Sequence, residues 1–358
     1  VNSAPETSLL TFRSSVEEEL RIFLSREGAY LQEISPELTL VCNSLTSFLL
    51  ERGKRLRPLF AFAGFIAAGG SLEKSAIKAM ASLELLQACA LIHDDLMDAS
   101  DTRRGKPSIH RHFESIHVQD RLEGFAPQYG LSAAVLLGDL ALVWSDQMLN
   151  SAGLSPDQCV RTFPFYNEMR VELMAGQFLD IHEQTQKSSS VVRSMKIARY
   201  KSGKYTIERP LHLGAAIANP LDDQRISALS KYGLPLGEAF QLRDDLLGVY
   251  GKTVLTGKPT GDDLREGKKT VLIALSRENQ SPSESQIFEK YFGAPDLNSE
   301  GITALQQIIL DTGAKEKLEN LIEELTEKSL VAIASPHFSE EGQKLLTELA
   351  HIATKRST

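Results

Sequence analysis

"LIHDDLMDASDTRRGKPSIH", Leu91 to His110, places four aspartates (Asp94, Asp95, Asp98 and Asp101) within eight residues and sets Arg103 and Arg104 directly after them. Just upstream, "MASLELLQACALI" is apolar nearly all round, the pattern of a central, buried helix. Asp94 and Asp98 are four residues apart and share one face of that helix, with Asp95 beside them. Two such carboxylates repel by roughly 1 kcal/mol in water and about 4 kcal/mol at an effective dielectric of 20. Exposure, protonation or a bound cation relieves that repulsion. A charge run is ordinarily a solvated face, yet the end of a buried apolar helix more often meets a cavity or crevice than bulk water. Oxygen-only ligands suit Mg2+, which keeps waters and bridges one or two carboxylates to substrate phosphates.

Working outward, helical periodicity dominates. "VEEELRIFLSREG" follows Ser14 and Ser15 with acidic residues in its first turn. Apolar residues then recur three and four apart over 37–50, 58–68, 74–98, 131–150, 157–181, 191–206, 224–249 and 302–330. Alternating β-branched runs bounded by tight-turn signals are missing, so no sheet is expected. The sequence predicts one all-α domain over 13–358, a helical bundle, with residues 1–12 disordered. At 358 residues, 42% hydrophobic and 24% charged, the chain has ample material for a soluble core. A net charge of -8 argues against a nucleic-acid surface. The apolar stretches "LFAFAGFIAA" and "LSAAVLLGDLALVW" fall short of the ~18 uninterrupted residues of a membrane span and read as buried helices. The first residues lack a basic region followed by an apolar run. Cys42, Cys89 and Cys159 are scattered without ligand spacing, which predicts reduced thiols in a cytoplasmic protein.

A second carboxylate pair, Asp244 and Asp245, lies in "FQLRDDLLGVYG" on another apolar helix, with Gln241 one turn earlier. Two such pairs on separate helices suggest walls that converge on shared metal ions. Basic residues gather at element ends: Lys54, Arg55 and Arg57 in "RGKRLRP", Arg103, Arg104 and Lys106 in "TRRGKP", Lys201 and Lys204 in "RYKSGKY", and Lys258, Lys268 and Lys269 in "GKPTGDDLREGKK". Each alone is an ordinary surface turn. Together, in an acidic chain, they suggest pockets for anions, and arginine's planar fork suits phosphate. No P-loop signature is present.

In this order, from about Glu51 to Lys269, the motifs resemble those of the trans-isoprenyl diphosphate synthases, the polyprenyl synthetase family, and are most similar to the bacterial geranylgeranyl diphosphate synthases. The resemblance implies two acidic motifs on facing helices, three Mg2+ ions around an allylic diphosphate, and a deep hydrophobic cavity. It gives metal binding to Asp94, Asp98 and Asp244, with Asp95 in support; the second motif of the family ends in Asp where this chain has Gly248. It assigns Lys54, Arg57, Gln87 and Arg104 to isopentenyl diphosphate. Arg103, Lys201, Ser202 (in place of the family's threonine), Gln241, Lys258 and Lys268 fall to the allylic diphosphate, and "GQFLD" supplies Gln177 and Asp180, the latter near a metal through water. The implied reaction condenses isopentenyl diphosphate with dimethylallyl, geranyl or farnesyl diphosphate, mainly to the twenty-carbon product, in a homodimer. Small residues Cys89 and Ala90, one turn before Asp94, let the chain grow past fifteen carbons toward Leu85 and Leu86, with Trp144 a candidate helper. A class I terpene cyclase needs no second diphosphate site. A non-catalytic partner subunit usually loses acidic motifs. A di-iron bundle wants Glu-x-x-His pairs that this sequence does not supply.

Overall fold

Helix α1 runs from Pro5 to Ile34 in this structure, a computed structural model that describes residues 5–51, 53–251, 260–294 and 296–355. The disorder expected for 1–12 therefore gives way to helix from Pro5 onward, and residues 1–4 lie outside the described residues. An apolar anchor explains the early start: Leu9 and Phe12 are buried, and Phe12 stacks on Phe62 with ring centroids 4.2 Å apart.

The chain divides into two compact units, Val1–Phe62 with Ser71–Cys159, and Ala63–Gly70 with Val160–Thr358. Helix α3 (Leu56–Ala67) contributes to both. The first unit is built around α4 (Lys74–Met97), which packs on α1, on α2 (Thr39–Leu50) and on α6 (Ala126–Asn150), with α5 (Ile109–Gln119) against α6. Met80, Leu83, Leu85, Leu86 and Cys89 of α4 are fully buried, as the apolar run around Asp94 predicts. A short antiparallel hairpin, β1 (Thr102–Arg103) and β2 (Lys106–Pro107), follows α4. Its turn residues Arg104 and Gly105 both have positive φ, 55° and 79°, the backbone that a two-residue hairpin needs. This ladder is too short for an alternation signal in sequence.

Helix α7 (Pro156–Gln184) starts in the first unit and runs on into the second, where α8 (Val191–Ala198) leads into a π-helix, Arg199–Glu208, which continues as α9 (Arg209–Ala218). Helix α10 (Asp223–Tyr250) is central, packed on the π-helix and on α15 (Ala314–Ala332). Between them lie α11 (Asp262–Arg265), α12 (Val271–Arg277), α13 (Pro282–Tyr291) and α14 (Ser299–Asp311), and α16 (Glu340–Thr354) closes the unit. Leu242, Leu246, Leu264, Ile273, Phe288 and Leu318 share one core. The helix expected over 302–330 is broken by Gly313, whose φ of 68° ends α14 and starts α15.

Helix α6 differs from its expectation. Ala134, Leu137, Ala141 and Trp144 are buried, but Leu136 and Val143 are 67% and 59% exposed, so only one face of this apolar helix is covered within the chain. By length and composition alone α4 and α6 could each cross a membrane; α4 is mostly buried, as a core helix is, and α6 carries Asp139 and Asp146.

Candidate active site

The first acidic motif sits on the last turn of α4. Asp95 is buried, Asp94 and Asp98 are half-buried, and Asp98 caps the helix, its N–H donating to the Asp94 carbonyl at 2.9 Å. The hairpin then swings Arg103 back over this turn. Its Nε donates to both carboxylate oxygens of Asp95 at 2.8 and 3.0 Å, and its Nη2 reaches Asp94 Oδ2 at 3.4 Å. One guanidinium thus spans two of the carboxylates, in the place where the sequence calls for a cation.

Arg104 points elsewhere. Its Nη1 donates to the carbonyls of Phe48 and Glu51 at 3.2 and 2.9 Å, and the guanidinium lies over the Phe48 ring. These bonds tie the hairpin to the end of α2, where "GKRLRP" begins. Burial lowers the Arg104 pKa, Glu84 raises it, and Arg55, Arg103 and Arg57 lower it further, so four arginines share one neighbourhood. Arg55 is the residue the sequence reading left without a role. It is buried, has a φ of 55°, and its Nη1 donates to Glu84 at 2.7 Å. Such a backbone costs about 1–3 kcal/mol and persists where the surroundings hold it; the Arg55–Glu84 pair is that hold. It leaves Lys54 exposed and Arg57 half-buried on either side. Gln87 is half-buried on α4.

The second unit assembles its own acidic cluster. On α10, Asp245 is buried and accepts from Gln241 Nε2 at 2.8 Å, with Asp244 half-buried beside it. Burial pushes the Asp245 carboxyl up to about 8, against the lowering effect of Gln241, and the charges of Asp263, Asp244 and Asp180 push the same way as burial. Lys201 donates to Asp180 at 2.5 Å. Both Lys201 and Ser202 lie in the π-helix, a form often found at functional sites. That segment is pinned by close packing: a Cβ on Gly176 of α7 would lie 2.3 Å from the Lys201 nitrogen. Farther along, Lys204 and Arg209 both bond Glu172, at 2.6 and 2.7 Å. Lys268 reaches Glu266 at 2.7 Å and Asp263 at 3.9 Å. Gln177 is half-buried on α7, and Lys258 lies outside the described residues.

Among the described residues no three His, Cys, Asp or Glu side chains form a ready-made metal shell. The donor set still fits Mg2+, which takes one or two carboxylates and completes its shell with water and phosphate. The crowding that holds a proton on Asp245 is the electrostatic condition a divalent cation relieves.

Of the proposed length-setting residues, Leu85, Leu86 and Cys89 are fully buried and Ala90 is half-buried. Cys89 Sγ lies 3.8 Å from His93 Nδ1, and burial, then Asp139, push its thiol up to about 12, so it serves as a small apolar group. Trp144 packs edge-on against Phe23, ring centroids 6.2 Å apart. A cavity of about 340 Å³ between α1 and the start of α4 is lined by Phe23, Arg26 and Lys78. It lies sixteen residues, about 24 Å of helix, from Asp94 and does not include the carboxylates.

Comparison with known proteins places this arrangement. The family model described as polyprenyl synthetase matches residues 39–309. A geranylfarnesyl diphosphate synthase of Aeropyrum pernix is 30% identical over 85% of this chain and 90% of its own length. A geranylgeranyl diphosphate synthase of Sulfolobus acidocaldarius is 30% identical over 72% and 73%. A crystal structure of geranylgeranyl pyrophosphate synthase from Corynebacterium glutamicum, complexed with isoprenyl diphosphate and magnesium, is 42% identical with a TM-score of 0.93, covering 97% of this chain and 99% of that one. The chain belongs to the polyprenyl synthetase family and is a transferase of prenyl groups.

Proposed function

We propose that the protein condenses isopentenyl diphosphate with dimethylallyl, geranyl and farnesyl diphosphates in succession and releases mainly geranylgeranyl diphosphate, with some farnesyl or longer product. The observation that carries this reading is the pairing in each unit of an acidic cluster with a fixed cation, Arg103 on Asp95 and Lys201 on Asp180, inside a chain 42% identical to a geranylgeranyl pyrophosphate synthase bound to isoprenyl diphosphate and magnesium.

Asp94, Asp98 and Asp244 would hold Mg2+, three ions in all, with Asp95 in support. When bound, the metal neutralises charge on the departing diphosphate. Arg103, Lys201, Lys258 and Lys268 bind the allylic diphosphate and stabilise the charge that develops as its C–O bond ionises, the kind of preorganised electrostatic contribution that is usually the largest in catalysis. Ser202 and Gln241 orient the same group. Lys54, Arg57, Gln87 and Arg104 hold isopentenyl diphosphate so that its double bond attacks the allylic carbon. Released pyrophosphate takes the proton, so no protein base is assigned.

The matched region lies inside 13–358, and α1 and α15 pack on the helices that carry the motifs, which supports extending the functional region over 13–358. The uncovered apolar face of α6 supports a homodimer. Three free thiols fit a reducing, cytoplasmic setting. Incubation with isopentenyl diphosphate, each allylic primer and Mg2+, followed by product chromatography, tests the reading. Twenty-carbon diphosphate as the main product supports it; no condensation with any primer overturns it.

A further inference from the structure

Residues 168, 172, 176 and 180 recur every four positions and so share one face of α7. Their contacts on the neighbouring chain run in the opposite order, from the start of α9 back to Lys201. Glu168 accepts from Arg209 Nη2 at 2.7 Å. Glu172 accepts from Arg209 Nε at 2.7 Å and Nη2 at 2.9 Å, and from Lys204 Nζ at 2.6 Å. Gly176 makes room for the backbone itself: a Cβ there would lie 2.6 Å from Tyr200 C and from Lys201 Cα. Asp180 then accepts from the Lys201 ammonium at 2.5 Å. We propose that Glu172 is a positioning residue for the allylic diphosphate: by gathering Lys204 and Arg209 it fixes the register of the π-helix against α7, and so the place of Lys201. This rests on the reading above that Lys201 binds that diphosphate.

A role confined to stability fits the surroundings less well. Arg209 is buried, and the side chains of Glu172 and Lys204 are 12% and 14% exposed. Burial opposes the Glu172 charge, but the bonds from Arg209 and Lys204 outweigh it and hold the carboxyl below its ordinary value. Buried ion pairs are a poor source of stability, since apolar residues of similar volume often do as well or better. A planar guanidinium forked over a carboxylate is, by contrast, a strong source of geometry. The π register calls for one. It is rare beyond a single turn, and here it lasts ten residues. The segment also meets α10 closely: a Cβ on Gly237 would lie 2.5 Å from the Gly203 carbonyl oxygen. Glycines on α7 and α10 let the backbone approach but offer no side-chain bond; Glu172 supplies it. With both its oxygens engaged by Arg209 and Lys204, Glu172 acts through the segment it holds rather than on the substrate.

The test is calorimetric titration of geranyl S-thiolodiphosphate, an allylic diphosphate whose C–S bond resists ionisation, into the full chain at saturating Mg2+. Lys201→Met is expected to raise Kd by roughly 10–150-fold, the loss of a charge-assisted bond. Glu172→Gln keeps the shape and is expected to raise Kd by about 10-fold, the lower end of that range, because the ammonium remains but stands out of place. Residues that act through one another are not additive, so Glu172→Gln/Lys201→Met is expected to stay within about twofold of Lys201→Met alone. If Glu172→Gln does not fold, Arg209→Lys decides: it keeps the charge, loses the fork and is expected to show the same dependence on Lys201. A native Kd in Glu172→Gln, whatever its Tm, would overturn the positioning role and leave Lys201 in place. So would a rise in Kd that persists in full on the Lys201→Met background. A native Kd in Lys201→Met would overturn the binding role of Lys201 itself, and the proposal with it.

Discussion

Arg103 grips the buried carboxylate of Asp95 through both oxygens, at 2.8 and 3.0 Å, while reaching Asp94 at 3.4 Å. The Asp95 side chain is 1% exposed, so its charge depends on what the protein places beside it. Breaking a buried pair by removing one partner typically costs about 3–5 kcal/mol. Arg103→Ala is therefore expected to lose stability near the lower end of that range, since Arg103 itself keeps some exposure, and to weaken the allylic substrate. Adding Asp95→Asn to Arg103→Ala removes the stranded charge and is expected to restore much of the stability in urea titrations. A double variant as unstable as Arg103→Ala would show that the pair is not the source.

The basic residues after α2 have separable roles. Arg57→Ala and Lys54→Ala are expected to raise the KM for isopentenyl diphosphate by roughly 10–150-fold, the loss of a charge-assisted bond of about 1.5–3 kcal/mol. Arg57, being half-buried, should show the larger effect, since exposed Lys54 gives up more side-chain freedom on binding. Steady-state kinetics in which only the allylic KM rises would reverse the assignment.

Asp245 makes stability depend on pH in a definite direction. The folded chain keeps this proton up to about pH 8, whereas the unfolded chain releases it near 4. Between those values the folded state binds more protons, so this contribution is full below about pH 4, declines as pH rises, and is gone above about 8. Asp245→Asn cannot ionise, and its Tm is expected to fall less than that of the native chain between pH 5 and 8. Saturating Mg2+ with pyrophosphate, by stabilising the carboxylate, should flatten the native curve as well. Parallel curves for native chain and variant would contradict the crowding described for this cluster.

Much of this arrangement is legible in the sequence, and the exceptions have physical causes. The period of apolar residues marks α4 and α10 as buried, and the four-residue spacing of Asp94 and Asp98 puts them on one face. Asp263 is hidden because fifteen residues of sequence separate it from Gly248, where an added Cβ would meet its carboxylate, and chain order carries no distance. Arg55 reads as one more basic residue in "RGKRLRP"; only its burial against Glu84 separates it from Lys54. The π-helix at Lys201 falls in a polar stretch whose few apolar residues cannot reveal a change of period. Pro5 to Phe12 looks like a frayed end until Phe62 is set beside Phe12. The bare face of α6 has the same composition as its buried face, so sequence alone marks both for burial.

Product length is expected to follow the residues one turn before Asp94. Cys89 is fully buried and Ala90 half-buried, and one turn of helix, about 5.4 Å, is close to one isoprene unit. Ala90→Phe is expected to shift output toward fifteen carbons, read by chromatography of the dephosphorylated products. Cys89→Phe should do the same at a greater cost in stability, about 1–3 kcal/mol for overpacking a filled core. An unchanged product profile from Ala90→Phe would place the growing chain elsewhere.

The dependence of a single reaction on both acidic motifs is tested most directly by the Mg2+-dependent turnover of Asp94→Ala and Asp244→Ala, measured beside their circular dichroism. Each change removes a carboxylate from a crowded cluster, so the helical signal is expected to persist while turnover falls by about 10²-fold or more, the scale of losing a group that stabilises transition-state charge. Near-native turnover in either variant, with the fold intact, would contradict the assignment of that motif's carboxylate to the metal.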